Sequence, residues 1–426
     1  MALSWPVSWP RPGVLLAFLS FILLVAPGRL AVAGEPSPWE RFQADWPGTG
    51  AGGRGAALAR LLDHVRGLGG VVCSGDTMTF FHLVPGTRRL PRVELCGDFT
   101  GWGPPVRMTR FADTRLFTFT LPGLPLDTRL EYKFRVGGEE RLDPLNPITV
   151  PNGIGGTNSV AIMPGYRRPA PLAPGSTRLA GRLETHEFRS RISRTVRQVA
   201  VYLPPGYRRE PQRRFPTVYV HDGGAYLRYA GAAVVVDRLV TLGRIEPLIA
   251  VFVDPVDRWT EYDSNAVFTR MFVEELVGFV DGRYRTVCRA DRRLVLGASM
   301  GGRISLHLAA SYPGVFGLVA SQSGAFGRAR RNPVAALAGG PLTPIRVYAD
   351  VGLFDLKGGR LGLLDENRAL RKVLETRRYP LLYREFAGGH NYTCWADQLP
   401  TIFEHFFGTG AGPAVCPPGR GGGKGT

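Results

Sequence analysis

The chain lacks the spacings that bind metals. Neither C-x-x-C nor H-E-x-x-H occurs, so no metal centre is indicated and no cofactor is expected. Cysteine is scarce: Cys73, Cys96, Cys288, Cys394 and Cys416. An odd number cannot pair completely within one chain, and the neighbours along the sequence are Cys73 with Cys96 and Cys394 with Cys416. Lysine is almost missing: of 53 basic residues, all but Lys133, Lys357, Lys372 and Lys424 are arginine. Acids number 35, leaving a formal net charge of +18. There is nevertheless no dense basic block and no nucleic-acid motif, so a nucleic-acid partner is not expected. The excess suits an anionic envelope surface, an anionic substrate, or simply a solvated arginine-rich exterior. Long apolar runs are lacking too. Val14 to Ala26 is shorter than the roughly 20 residues of a membrane-spanning helix, so no stable span is expected.

What is present divides the chain. Its 426 residues suffice for two or three domains, and 44% apolar with 21% charged residues is ordinary for globular folding. Arg11, the apolar run and Ala31-Val32-Ala33 follow the order of a secretory signal peptide. Residues 1–33 are therefore expected to be removed, and the protein to be exported, periplasmic or extracellular. An uncleaved anchor is the alternative. Residues 34–70 hold one predicted short helix, Ala56 to Val65, ended by Gly67-Leu68-Gly69-Gly70.

From 71 to 163 short alternating runs predict a small all-β, immunoglobulin-like sandwich. The runs are Val93 to Cys96, Leu116 to Phe119 and Leu130 to Val136, the last followed by a Gly137-Gly138 hairpin turn. Residues 164–178, with Pro164, Pro169, Pro171 and Pro174, form a proline-rich linker. From 179 to 408 apolar strand-like runs alternate with helical stretches. The strand-like runs are Val199 to Leu203, Pro216 to Val220, Leu248 to Val253, Leu294 to Leu296, Leu318 to Ser321 and Ile345 to Ala349. Phe268 to Val280 and Gly302 to Ser311 are helical in pattern. That alternation predicts the α/β class, a mostly parallel sheet with helices on both faces. Residues 409–426 are a Gly- and Pro-rich tail, predicted to be disordered.

The chemistry centres on Leu294 to Gly302, where a strand runs into Gly297-Ala298-Ser299-Met300-Gly301 and then into a helix. In G-x-S-x-G the glycines allow a strained turn that lifts the serine hydroxyl above a sheet, beside a helix N-terminus. Ser299 is the candidate nucleophile. A serine hydroxyl needs a base, and in chains of this kind the base comes last, after the acid. His390, in the loop Phe386-Ala387-Gly388-Gly389-His390, has that place. His64, His82, His186, His307 and His405 read as surface or packing residues. The acid that orients the imidazole should follow the strand Ile345 to Ala349, where Asp350, Asp355, Asp365 and Glu366 are candidates. Asp355, at the end of the loop from Val351, has the reach and is the choice. An oxyanion needs two N–H donors. Met300, after the nucleophile, supplies one, and Gly224, in the sharp turn His221-Asp222-Gly223-Gly224, is the expected second.

These residues resemble the enterochelin esterase family and the wider esterase D-type α/β-hydrolases. The matching segments are His221-Asp222-Gly223, Arg258 to Glu261, Gly297 to Gly302, Ser321-Gln322-Ser323-Gly324, Val351 to Asp355, and Gly388-Gly389-His390 with Trp395. They span most of residues 180–408. The resemblance implies Ser299 as nucleophile, His390 as base, Asp355 as acid, and Arg258, Glu261 and Trp395 as substrate contacts. Gly327-Arg328 stand where the family has a further aromatic.

The preceding region resembles the early-set β-sandwich of glycogen-branching and isoamylase-type enzymes. Gly97-Asp98-Phe99-Thr100-Gly101-Trp102, Tyr132-Lys133-Phe134, Asp143-Pro144 and Asn158-Ser159-Val160 carry that likeness. Trp102, Lys133 and Asn158 would suit a glycan, whereas Glu139-Glu140 replace a second tryptophan. A packing and substrate-lid role is the preferred reading, with glycan binding the alternative.

Together these features imply an exported serine carboxylesterase acting through an acyl-enzyme on a small or oligomeric, siderophore-like and anionic ester. Alternatives are a polysaccharide feruloyl or acetyl esterase, an acyltransferase resembling the mycolyltransferases, and a non-catalytic glycan-binding protein.

Overall fold

The computed structural model describes residues 35–86, 89–173, 175, 177–327, 332–357 and 362–410. The predicted leader and most of the tail, with Cys416, lie outside the described residues.

Two helices precede the sandwich, α1 (Pro38–Asp45) and α2 (Ala51–Gly67). The sequence reading placed only the core of α2. The missed α1 carries a capping box, in which Ser37 and Glu40 satisfy each other's N–H groups. Trp39 anchors it on the sandwich, packing edge-on against Phe81 and Phe111.

The sandwich pairs two antiparallel sheets. One has the order β1-β2-β6-β5, from β1 (Val71–Ser74), β2 (Thr77–Leu83), β6 (Leu116–Leu121) and β5 (Thr109–Arg110). The other has the order β4-β3-β7-β10-β9, from β4 (Val106–Arg107), β3 (Val93–Gly97), β7 (Arg129–Val136), β10 (Thr157–Ile162) and β9 (Thr149–Pro151), with β8 (Glu139–Arg141) paired to β7. Phe80, Leu95, Leu130 and Phe134 fill the space between them. The predicted Gly137-Gly138 turn is present, with positive φ of 61° and 95° and Val136 paired to Glu139.

Cys73 and Cys96, neighbours along the sequence, are not paired. Cys73 lies on β1 and Cys96 on β3, strands of different sheets, and among the described residues both are free thiols. Cys73 turns to the Ile162 carbonyl and Cys96 to that of Lys133. Cys394 is free as well.

The proline-rich stretch is packed down. Pro171 and Leu172 are buried, and Arg238 donates to the Pro171 and Ala173 carbonyls at 2.9 and 2.7 Å.

Beyond it, eight strands form one sheet in the order β11-β12-β14-β13-β15-β16-β17-β18. These are β11 (Arg182–Arg189), β12 (Val196–Leu203), β13 (Thr217–His221), β14 (Ile249–Val253), β15 (Arg293–Ala298), β16 (Leu318–Gln322), β17 (Arg346–Gly352) and β18 (Leu381–Phe386). The pairs β11/β12 and β12/β14 are antiparallel and the others parallel. The central strands are apolar almost throughout because both faces are covered. Val251, Val295 and Ile304 belong to one core, Phe252, Leu296 and Phe403 to the other.

The covering helices are α3 (Gly223–Arg228), α4 (Ala232–Thr241), α5 (Arg258–Glu261), α6 (Ala266–Arg270), α7 (Val277–Arg283), α8 (Met300–Ser311), α9 (Pro333–Gly339), α10 (Leu363–Thr376) and α11 (Tyr392–Phe407). A π-helical turn, Met271–Leu276, joins α6 to α7. This is an α/β-hydrolase arrangement preceded by antiparallel β-sheets. Ser299, Asp355 and His390 follow β15, β17 and β18, so they share the carboxyl edge of the parallel strands.

Candidate active site

Ser299 sits between β15 and α8 with φ 59° and ψ −122°, a backbone state that a non-glycine residue adopts only under constraint. The glycines around it explain how the turn closes. A Cβ on Gly297 would lie 2.6 Å from the Gly301 carbonyl, and one on Gly302 would lie 2.5 Å from Ser321 Oγ. The neighbouring strand end clamps the serine backbone: its N–H donates to Gln322 O at 2.8 Å, and its carbonyl accepts from Ala325 at 3.1 Å. Ser299 itself stays half-buried and reachable. Met300 is the first residue of α8, so its N–H has no intrahelical partner.

His390 Nδ1 and Asp355 Oδ1 are 2.7 Å apart, with the carboxyl side chain fully buried and the imidazole 12% exposed. A carboxylate on Nδ1 fixes the tautomer that leaves Nε2 as the basic nitrogen. Asp355 also accepts the N–H groups of Leu356 and Gly352, at 2.7 and 3.3 Å. The two loops are zipped together, Leu353 N–H to Phe386 O and Phe354 N–H to Gly388 O. Trp395 stands edge-on to the imidazole, 4.8 Å between ring centroids, and its indole N–H donates to Ser323 Oγ at 3.1 Å.

The other acid candidates have different surroundings. Asp350 accepts from Gln322 Nε2, and its burial pushes its pKa up to about 7. Asp365 lies in the first turn of α10, and Glu366 accepts the N–H groups of Phe326 and Gly327. His221 is buried among Tyr262, Phe268 and Phe272, which pushes its pKa down to about 3 and keeps it neutral.

Four expected contacts have partners inside the fold. The Gly224 N–H already donates to Asp254 Oδ1 at 2.8 Å, so it does not stand open as an oxyanion donor. Arg258 forks onto Asp222 at 2.9 and 2.8 Å, a bidentate fit through Nε and Nη2. Its Nη2 also reaches the Ala298 carbonyl beside the nucleophile, at 3.5 Å. Glu261 receives both Nη atoms of Arg197 at 3.0 Å, deep in the fold. Trp395 is only 4% exposed and touches His390 rather than solvent. Glu261 and Trp395 are buried in the site's frame, whereas the Arg258 side chain keeps 18% exposure.

Residues 190–406 match the family described as "Putative esterase". The chain belongs to that family. Among its relatives, the iron(III) enterobactin esterase of Escherichia coli K12 is 26% identical over 271 residues, 60% of this chain and 65% of that protein. The chain thus spans just under two thirds of that relative's length. The uncharacterized protein YjcH of Bacillus subtilis is 25% identical over 231 residues, 51% of this chain and 95% of YjcH. The ferric enterobactin esterase of Salmonella typhimurium shares the fold with a TM-score of 0.65 at 21% identity, covering 79% of this chain and 93% of that one. The Shigella flexneri enterobactin esterase, crystallised in the presence of enterobactin, gives 0.62 at 22%, covering 78% and 92%.

Within this esterase, the residues that sequence reasoning missed are those bonded across the fold: Asp254, Arg197, Tyr262, Gln322 and Asn391. Tyr262 OH accepts the Asp222 N–H at 3.0 Å, and Asn391 caps α11. Tyr262 and Gln322 stand in or beside segments already singled out, but nothing local in either names its partner.

Proposed function

We propose that this esterase is a serine carboxylesterase working through an acyl-enzyme on Ser299. The observation that carries the reading is the 2.7 Å contact between His390 Nδ1 and a buried Asp355, on the same sheet edge as a serine held in a strained elbow. In the proposed cycle Ser299 Oγ attacks the ester carbonyl while His390 Nε2 takes its proton. Asp355 stabilises the imidazolium without itself becoming protonated. The Met300 N–H and the N-terminus of α8 face the developing oxyanion. Collapse expels the alcohol, which takes the proton from His390, and water then repeats the sequence to release the acid.

The enterobactin esterase relatives support a siderophore-like oligoester as substrate, and the strongly positive net charge suits an anionic one. Export is proposed on the leader alone. No described helix is long and apolar enough to cross a membrane.

The test is release of p-nitrophenol from acetate and butyrate esters, beside Ser299→Ala and Asp355→Asn. Activity should fall at least about a thousandfold in each variant, the scale of triad losses. Equal rates in wild type and Ser299→Ala, with no fluorophosphonate mass shift, would falsify the assignment.

A further inference from the structure

The sandwich turn Gly97 to Trp102 is tied into the protein by polar bonds. Trp102 Nε1 donates to Asp98 Oδ1 at 2.8 Å, Asn158 Nδ2 to Glu131 Oε2 at 2.9 Å, and Lys133 Nζ to Glu140 Oε2 at 3.3 Å. The groups that would suit a glycan are engaged within the protein. The turn instead touches the two loops that carry His390 and Asp355.

Asp98 has no exposed surface. Its Oδ2 accepts the Glu131 N–H at 2.7 Å and the Asn391 Nδ2–H at 3.3 Å. Gly389 packs against the same carboxyl so closely that a Cβ there would lie 2.1 Å from Asp98 Cγ. The residues on either side of His390 in sequence are therefore both seated on Asp98. Asn391 is gripped at its other end as well, where Oδ1 accepts from Arg129 Nη1 at 3.5 Å and from the Cys394 N–H at 3.0 Å. Asn391 caps the helix that brings Trp395 against His390.

The acid loop rests on the same turn. Lys357 Nζ donates to the Phe99 carbonyl at 3.5 Å, and a Cβ on Gly101 would lie 2.6 Å from Lys357 N. Phe354, beside Asp355, packs against the sandwich core. A buried acid weakens a fold unless its bonds compensate. Here those bonds run to Trp102, to β7 and to the loop beside His390.

We propose that Asp98 is a positioning residue: through Gly389 and Asn391 it sets the loop that aims His390, making the sandwich a working part of the active site. This rests on the serine-esterase reading above. A displacement of about 1 Å in such a constellation costs on the order of a hundredfold in rate.

Asp98→Asn keeps the volume but must turn its NH2 toward either the Trp102 indole or the Glu131 and Asn391 donors, breaking one side of the clamp. Trp102→Phe, at a half-buried position, removes a single donor and leaves the core intact. On the full chain with p-nitrophenyl butyrate, kcat should fall at least about tenfold for Asp98→Asn and less for Trp102→Phe, with KM within about twofold. The proton between His390 Nδ1 and Asp355, seen as a low-field NMR resonance absent from His390→Gln, should move or broaden in the same order. Glu140→Gln, on the exposed side of the sandwich, should change neither readout.

Unchanged kcat and an unmoved resonance in folded Asp98→Asn would overturn the positioning role. So would a loss of kcat matched by an equal loss of fluorophosphonate-titratable sites with the resonance unmoved. The resonance needs no substrate. A wild type inactive on every ester would therefore sink the hydrolytic reading, and the resonance would still decide the positioning one.

Discussion

Asp350 and Asp355 occupy one strand and the loop after it, yet their environments separate them. Asp355 reaches the imidazole and gathers two backbone N–H groups. Asp350 is sealed at the strand end, and burial, only partly offset by the Gln322 amide, raises its pKa from 3.8 to about 7. Between those values the folded chain holds a proton that the unfolded chain has lost. Asp350 therefore stabilises fully below about pH 4, and that contribution drains away as pH rises toward 7, by about 1.4 kcal/mol per pH unit. Asp350→Asn is neutral at every pH. Its urea midpoint should gain on wild type from about pH 4 to 7 and keep a constant lead above that. A gap independent of pH would show that Asp350 is ionised in the folded chain. The choice of Asp355 over Asp350 was legible as reach along a loop. The raised Asp350 was not, because burial depends on what packs over the strand end.

At the scale of elements, short helices are braced by charges rather than by length. Helix α5 spans only Arg258–Glu261 and stays in place because Glu261 pairs with Arg197 on β12 and Arg258 with Asp222 after β13. An isolated helix that short has no stability of its own. Glu261→Ala would leave Arg197, whose side chain is 1% exposed, buried and unpaired. The expected cost is about 3–5 kcal/mol in chemical denaturation. Glu375→Ala, which breaks the exposed Arg371–Glu375 pair, should leave the midpoint unchanged. Equal midpoints for the two variants would refute the bracing role. R-x-x-E was visible in the sequence as a motif, but its function as a brace depends on a strand more than fifty residues earlier. The polar edge strand β11 was missed for a related reason: Arg182 to Arg189 has few apolar positions, and only pairing with β12 makes it a strand.

For the whole molecule, stability comes from packing without cross-links among the described residues. Four cysteines are thiols, and burial pushes that of Cys73 up to about 11 and raises Cys96 and Cys394. Cys288 alone among the four is exposed. Native thiol titration should therefore modify Cys288 and spare the other three, as read by peptide mass mapping. Reductant should leave the melting temperature unchanged. A fall in that temperature on reduction would reveal a stabilising disulfide. The interface between the sandwich and the α/β sheet combines apolar packing, as at Phe354, with polar bonds. Arg129 N–H bonds Ala387 O at 3.0 Å, and Tyr166 OH bonds Asp397 at 2.6 Å. This integrates the predicted linker into one body with its neighbours.

The sequence by itself determined what local backbone and residue chemistry demand. The G-x-S-x-G elbow requires a glycine at 297, where a Cβ would lie 2.6 Å from the Gly301 backbone, and the alternation of apolar strands with helices dictates a covered parallel sheet. The order of nucleophile, acid and base places the three after β15, β17 and β18, at one edge of the sheet. Tertiary structure decided which polar groups meet. Asp254 occupies the Gly224 N–H, Asp222 occupies Arg258, Arg197 occupies Glu261, and Asp98 holds Asn391 across 293 residues of chain. A buried donor or acceptor must be satisfied by whatever the fold brings within 3 Å or so, and that neighbour is set by the stacking of whole elements rather than by spacing along the chain.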